Sequence, residues 1–180
     1  MSEVTAANSF LKVGTRRNVM PIPAVPENTE FIRAGNVTIA VEYRVLTDVI
    51  LNDAYRDNPE DAQVIAATRR AETLNDEGVS IHVLDNEGHE YLRFDCFSND
   101  PHYHYIQPEE KYNILVPFDF VACGDMIDWT VDRLGSRLEV MLAQSGGSKL
   151  IEGLDADALT AAVPRVLEAA RRGSMLASAK

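Results

Sequence analysis

The chain has 180 residues, 46% of them hydrophobic and 25% charged, which suffices for one globular domain whose core needs no disulfide staples. A net charge of −11 excludes nucleic acid as a partner, because affinity for phosphates rests on clustered Lys and Arg. No apolar run approaches the ~20 residues of a membrane span and no apolar signal core opens the chain, so no membrane association and a cytoplasmic location are expected.

In chain order, residues 1–28 read as an extended basic arm. Pro21, Pro23 and Pro26 keep it out of a helix. Lys12, Arg16 and Arg17 stand against Glu3, so residues 1–24 carry +2 and the remainder −13. Such an arm is either a solvated terminus or a strap lying on an acidic surface, its own or a partner subunit's. Residues 29–180 read as a single α+β domain. Residues 30–33 and 37–45 form strands around the Ala34-Gly35-Asn36 turn. In the second, Val37, Ile39, Val41 and Tyr43 alternate with Thr38, Ala40, Glu42 and Arg44, the period of a half-buried strand. Residues 46–57 fit a short helix or a continued strand. From Asn58 a helix is expected up to Gly78, with Asn58 as cap, Pro59 in the first turn, and Glu60 and Asp61 at the positive end of the dipole.

A meander over 78–117 follows. The loop at 85–88 sets His82 opposite Tyr91 and Ile81 opposite Leu92. The turn at 98–101 sets Asp95 opposite His104 and Phe94 opposite Tyr105. These registers give one consistent sheet. One face carries Val79, Ile81, Val83, Leu92, Phe94, Cys96, Tyr103 and Tyr105. The other carries Ser80, His82, Tyr91, Arg93, Asp95, Phe97, His102 and His104. An amphipathic helix over 125–144, with Ile127, Val131, Leu134, Leu138, Met141 and Leu142 on one stripe, is expected on the apolar face. A helical segment over 155–172 contains Pro164, which either kinks one helix or opens a second. The fold class is therefore α+β, an antiparallel β-meander with amphipathic helices packed on one face.

The second face holds the chemistry. Asp95 and His104 as cross-strand neighbours put a carboxylate within reach of an imidazole, which orients the ring, raises its pKa and prepares a general base. His102 projects to the same side, so Asp95, His102 and His104 can share a divalent metal ion. Asp95, His104, Arg93 and Tyr91 are the candidate catalytic groups. The bland alternative is a polar face whose groups satisfy one another under solvent or a second subunit. Cys123 precedes a helix start, where a thiol can be activated, but its apolar neighbours favour a buried structural cysteine; Cys96 packs in the core. Trp129, one turn before Arg133, is expected to anchor the long helix to the arm or to an interface. The sequence has no phosphate loop, dinucleotide glycine pattern, serine elbow or zinc-protease motif.

The stretch "HYHYIQPEE" resembles a fragment of the cupin metal motif, with His102, His104 and Glu109 at the matching spacing. The resemblance implies a β-barrel holding Fe, Mn, Zn or Ni on those three residues. It covers eight residues, and the sequence departs from the pattern around them. Cys96 and Val116 stand where glycines are expected, and an amphipathic helix follows in place of the second half.

The functional expectation is a small ligand-binding or subunit-interaction accessory protein using the His/Asp/Arg face, acting as a homo-oligomer with a dimer favoured. The alternative is a small enzyme with a divalent metal or a His–Asp acid/base pair on the same face.

Overall fold

Seven segments become strands, all but the first with period-2 or continuous apolar character: β1 (Thr15–Arg17), β2 (Thr29–Ala34), β3 (Val37–Thr47), β4 (Asn75–Asp85), β5 (Glu90–Phe97), β6 (His102–Gln107) and β7 (Tyr112–Pro117). The computed structural model describes residues 14–69 and 73–178; Glu3 and Lys12 of the arm lie outside them. The strands form one antiparallel sheet in the order β1-β7-β6-β5-β4-β3-β2, so the expected α+β meander is present. β1 and β2 are its two edges, and the sheet is not the closed barrel that the cupin fragment implies.

Both meander registers are displaced from those the turns suggest. Asp95 pairs with His102 and Arg93 with His104, two residues along from the expected alignment. His82 pairs with Arg93 and Val83 with Leu92, and the ladder then slips so that Leu84 meets Glu90. A shift of two leaves every side chain on its face, because the side-chain period is two. The slip does not. It is a β-bulge, and it turns Tyr91 to the same side as Leu92, where it packs with the apolar core and donates to Asp85 at 3.0 Å. Tyr91 therefore leaves the polar face, and Glu90 takes its place there.

Helices α3 (Phe120–Cys123), α4 (Met126–Ser136), α5 (Leu138–Gln144), α6 (Ser148–Ile151) and α7 (Ala156–Ser178) follow the sheet. On the apolar face α7 crosses β2, β3 and β4, while α4 and α5 lie over β5 and β6. Ile39, Ile81, Leu92 and Phe94 there meet Leu134, Leu142, Val166 and Ala170. The long helix expected over 125–144 breaks at Arg137, whose φ of −135° is outside the helical range. Asp125, where the helix was expected to start, caps it by accepting from Asp128 N at 2.9 Å. Pro164 sits inside one continuous α7. Trp129 joins Phe94, Tyr103 and Phe118 in an aromatic cluster of this core. Cys123 is exposed, at the end of the one-turn α3, and is not the buried cysteine expected.

Residues 46–57 finish β3 and then form α1 (Asp48–Ala54); α2 (Pro59–Thr68) follows. Asn58 caps α2 as expected, but the helix ends ten residues before Gly78. Gly78 is a strand residue. A Cβ there would lie 2.3 Å from the Cys96 carbonyl oxygen, so the close approach of β4 and β5 requires glycine.

The other face of the sheet is covered as well, by α1, α2 and residues 14–25. Val19, Leu51 and Tyr55 form a second small core with Ile22, Val64, Ile65 and Leu74 against them. β1 adds to the β7 edge, and Tyr55 donates to the Met20 carbonyl at 2.8 Å. The polar face is thus neither solvated nor open to a partner. The chain's own basic arm lies on it.

Candidate functional site

Beneath that cover lies a buried charged layer. Glu42 and Arg44 come from β3, Ser80 and His82 from β4, Arg93 and Asp95 from β5, His102 and His104 from β6 and Asn113 from β7. None of the nine is more than 8% exposed. Buried charge is costly unless each group is paired, and here the pairing is nearly complete. Glu42 Oε2 accepts from Arg44 Nε at 3.0 Å and Nη2 at 2.7 Å, and Oε1 accepts from the Val25 amide at 3.1 Å. Arg44 also donates to the Ile22 and Pro23 carbonyls, which fastens the arm to the sheet. Glu90 holds Arg93 through two bonds of 2.8 and 2.6 Å. His82 bridges the two acidic groups, with Nδ1 2.6 Å from Glu90 Oε1 and Nε2 3.3 Å from Glu42 Oε2, the second contact off the line of a good hydrogen bond. Burial pushes both carboxyls up, but Arg93 and His82 bring Glu90 down to about 2, and His82 and Arg44 bring Glu42 below its ordinary value.

Asp95 is the centre of the second half. Its Oδ1 accepts from the Ser80 hydroxyl, and its Oδ2 lies 3.3 Å from His102 Nε2 and 3.2 Å from His104 Nε2. The far nitrogens fix the tautomers. His102 Nδ1 is 2.7 Å from the Asp100 carbonyl, which can only accept, so it carries a proton. His104 Nδ1 is 2.9 Å from Asn113 Oδ1, and the Asn113 amide nitrogen donates to the Val19 carbonyl at 2.7 Å. That bond leaves Asn113 with an acceptor toward the ring, so His104 Nδ1 is protonated too. Both rings consequently turn Nε2 toward one carboxylate oxygen, which accepts from whichever of the two nitrogens carries a proton. Burial pushes Asp95 up, but the two histidines and Arg93 hold it well below the usual carboxylate range. Burial lowers the His104 pKa, and Asp95 does not fully offset it because His102 and Arg93 act in the same direction as burial. The raised value expected from the sequence is thereby reversed.

Three buried ligand atoms within 4.8 Å of one another make Asp95, His102 and His104 a candidate metal triad. Ligands bonded tetrahedrally at 2.0–2.1 Å stand roughly 3.3 Å apart, close to the two separations found here. The Asp100 carbonyl and Asn113 are the outer partners such histidines ordinarily have. A cavity of about 60 Å³ adjoins the triad, lined also by Arg93, Arg44 and Tyr55. A larger groove of about 780 Å³ runs along β3 beyond the end of β2, but no histidine or cysteine lines it. Glu109, the third residue of the cupin pattern, is exposed and pairs with Lys149 at 2.8 Å, so the cupin set is not assembled.

Of the candidate residues, Asp95, His102, His104 and Arg93 share this layer and Tyr91 does not. Glu42, Arg44, Glu90 and Asn113 were not singled out as site residues. The first two show a signal, two charges at period 2 within an otherwise apolar strand. Glu90 shows none, since the bulge decides its side.

The geometry defines an α+β protein with a buried ionic layer and a histidine–carboxylate triad under a strap from its own N-terminal region. The chain belongs to the family described as Domain of unknown function (DUF7700), which it matches over residues 31–170. No curated protein and no solved structure matches it. Among the described residues no helix is long and apolar enough to cross a membrane.

Proposed function

We propose that the protein is a small metal-dependent enzyme whose centre is Asp95, His102 and His104. One observation carries the reading: both imidazoles commit Nδ1–H to outer acceptors and converge through Nε2 on one carboxylate oxygen beside a cavity. Without a cation or an added proton, two nitrogen lone pairs and a carboxylate oxygen would face one another in a buried site. A divalent ion removes that repulsion and uses the neutral His104 that burial favours. Three protein ligands leave room for water, which such an ion acidifies, so hydrolytic or proton-transfer chemistry suits the site. The second reading, a ligand-binding protein without metal, draws support from Arg44 and Arg93 in the same cavity wall. Self-association through this face is disfavoured by the arm that fills it.

Elemental analysis of protein purified without chelator, followed by Zn²⁺ titration of the metal-free form, tests the proposal. One equivalent in the wild type and none in His104→Ala or Asp95→Asn is expected. A wild type that takes up no ion, with Nε2 protons on both rings by NMR, would sink the metal centre and leave the second reading.

A further inference from the structure

The two edges of the sheet are finished differently. β1 is three residues long and is the end of the arm. β2 is six residues long, pairs with β3 without a break from Thr29 to Ala34, and contains neither proline nor lysine. Among the described residues no strand lies beyond it. Short length, proline, lysine and bulges are the usual means by which an edge is kept from other strands, and β2 has none of them. Phe31, at its middle, is 51% exposed.

The turn decides which backbone groups this edge offers. Ala34 and Val37 close a two-residue hairpin loop whose first residue, Gly35, has a φ of 65°. The closing pair of such a hairpin exchanges both hydrogen bonds, and the exchange recurs at every second residue, so Glu30, Ile32 and Ala34 bond to β3. Thr29, Phe31 and Arg33 therefore turn their backbone groups outward. The Thr29 N–H donates to the Pro26 carbonyl; the Thr29 carbonyl and both groups of Phe31 and Arg33 face away from the sheet.

This edge is complementary to itself. A two-fold axis normal to the sheet keeps each face on its own side, so opposed residues must be an even number apart in sequence or identical. Two registers then give four backbone hydrogen bonds. In one, Phe31 opposes Arg33 and the two Arg33 guanidiniums become diagonal neighbours. In the other, Phe31 opposes Phe31, and Arg33 opposes Thr29 at the end of the strand where Glu27 stands. Charge favours the second, which holds the Arg33 residues about 14 Å apart and sets the basic end of each strand beside the acidic end of the other. Glu30 already carries its own counter-ion, Arg172, at 2.7 Å.

We propose that two copies of this chain join through β2, antiparallel and with Phe31 on the two-fold axis, so that their seven-stranded sheets become one. The joint lies at the sheet edge and is independent of the metal reading of the buried layer.

Light scattering at physiological ionic strength tests the association. A mass near twice 19.9 kDa is expected at hundreds of micromolar, falling toward 19.9 kDa on dilution. Phe31→Lys, which sets two like charges opposite each other and removes the ring, should weaken the dimer about tenfold with an unchanged circular dichroism spectrum. Oxidation of Phe31→Cys, in a Cys123→Ser background that removes the exposed native thiol, should give a covalent dimer, since hydrogen-bonded opposed residues have Cα atoms about 5.5 Å apart. Arg33→Cys in the same background lies beyond disulfide reach of its copy and should run as a monomer on a non-reducing gel. If Phe31→Lys fails to fold, the two cysteine variants decide. A wild type of 19.9 kDa at every concentration overturns the proposal. So does a dimer indifferent to Phe31→Lys, or one in which Arg33→Cys crosslinks as readily as Phe31→Cys.

Discussion

The two faces of the sheet are equally buried but held by different forces. Under α4, α5 and α7 the strands present Ile39, Ile81, Leu92 and Phe94, whose stability comes from area removed from water and close packing. Under the arm, α1 and α2 the same strands, read one residue over, present Glu42, His82, Arg93 and Asp95. That side is held by hydrogen-bonded charge pairs whose attraction mainly offsets their own desolvation. The apolar face thus accounts for most of the folding free energy. The charged face is organised at a cost that a purely structural layer has no need to bear, which is why the site is sought there.

Deleting residues 1–25 should have the largest effect. It removes β1 and strips acceptors from Arg44, Asn113 and Tyr55 and a donor from Glu42. At about 1–3 kcal/mol for each buried group left unpaired, the sum approaches the whole stability of a domain. Circular dichroism should show an unfolded or molten chain; a cooperatively folded truncation would mean that the arm is a dispensable cover.

Phe94→Ala, on the apolar side, should cost about 3–5 kcal/mol in urea melts, and Leu92→Ala about 2–5. Arg93→Ala, which a solvated face would tolerate, should now cost several kcal/mol as well, because it leaves Glu90 and Asp95 buried without their cation. The contrast between the faces appears in the double replacement. Glu90→Met with Arg93→Met should recover at least about 2 kcal/mol relative to the two single changes added together, as a double-mutant cycle reads it. Strict additivity would show that the pair is not coupled.

Acid should weaken the charged face. His104 is held below its ordinary value of 6.5, so as pH falls through 6.5 the unfolded chain takes a proton that the folded chain refuses, and stability starts to decline. Glu90 is held at about 2 against 4.5, so its contribution is present above 4.5 and is lost as pH falls from there toward 2. Melting temperatures between pH 8 and 3 should trace both stages. Glu90→Gln should flatten the lower one, and a profile unchanged by that substitution would count against the assignment. The smallest effect belongs to the periphery: Asn58→Ala, which removes the cap of α2, should cost about 1 kcal/mol.

Much of the fold is written locally. Alternation in 37–45 and in the meander assigns side chains to faces, and apart from Tyr91 at the bulge those assignments survive displacement of both registers by two residues, because a shift of two cannot move a side chain across the sheet. Helix caps at Asn58 and Asp125 are equally local, since the side chain and the amides it satisfies lie within three residues. Asp95, His102 and His104 could be grouped on one face by the same reasoning.

Only the tertiary structure decides the rest. The bulge that exchanges Tyr91 for Glu90 arises where the 85–89 loop, tied to the Asp85 carboxylate, meets the ladder, and no periodicity announces it. Glu42 and Arg44 join the histidines only because β3 pairs with β4 across the 48–74 excursion, a contact far apart in sequence. The arm closes over the layer through backbone carbonyls of Val19, Ile22 and Pro23, groups that every residue possesses. Side-chain identity therefore fixed which residues could do chemistry, and long-range pairing and backbone hydrogen bonds decided that they would do it buried, paired and beneath the chain's own N-terminal segment.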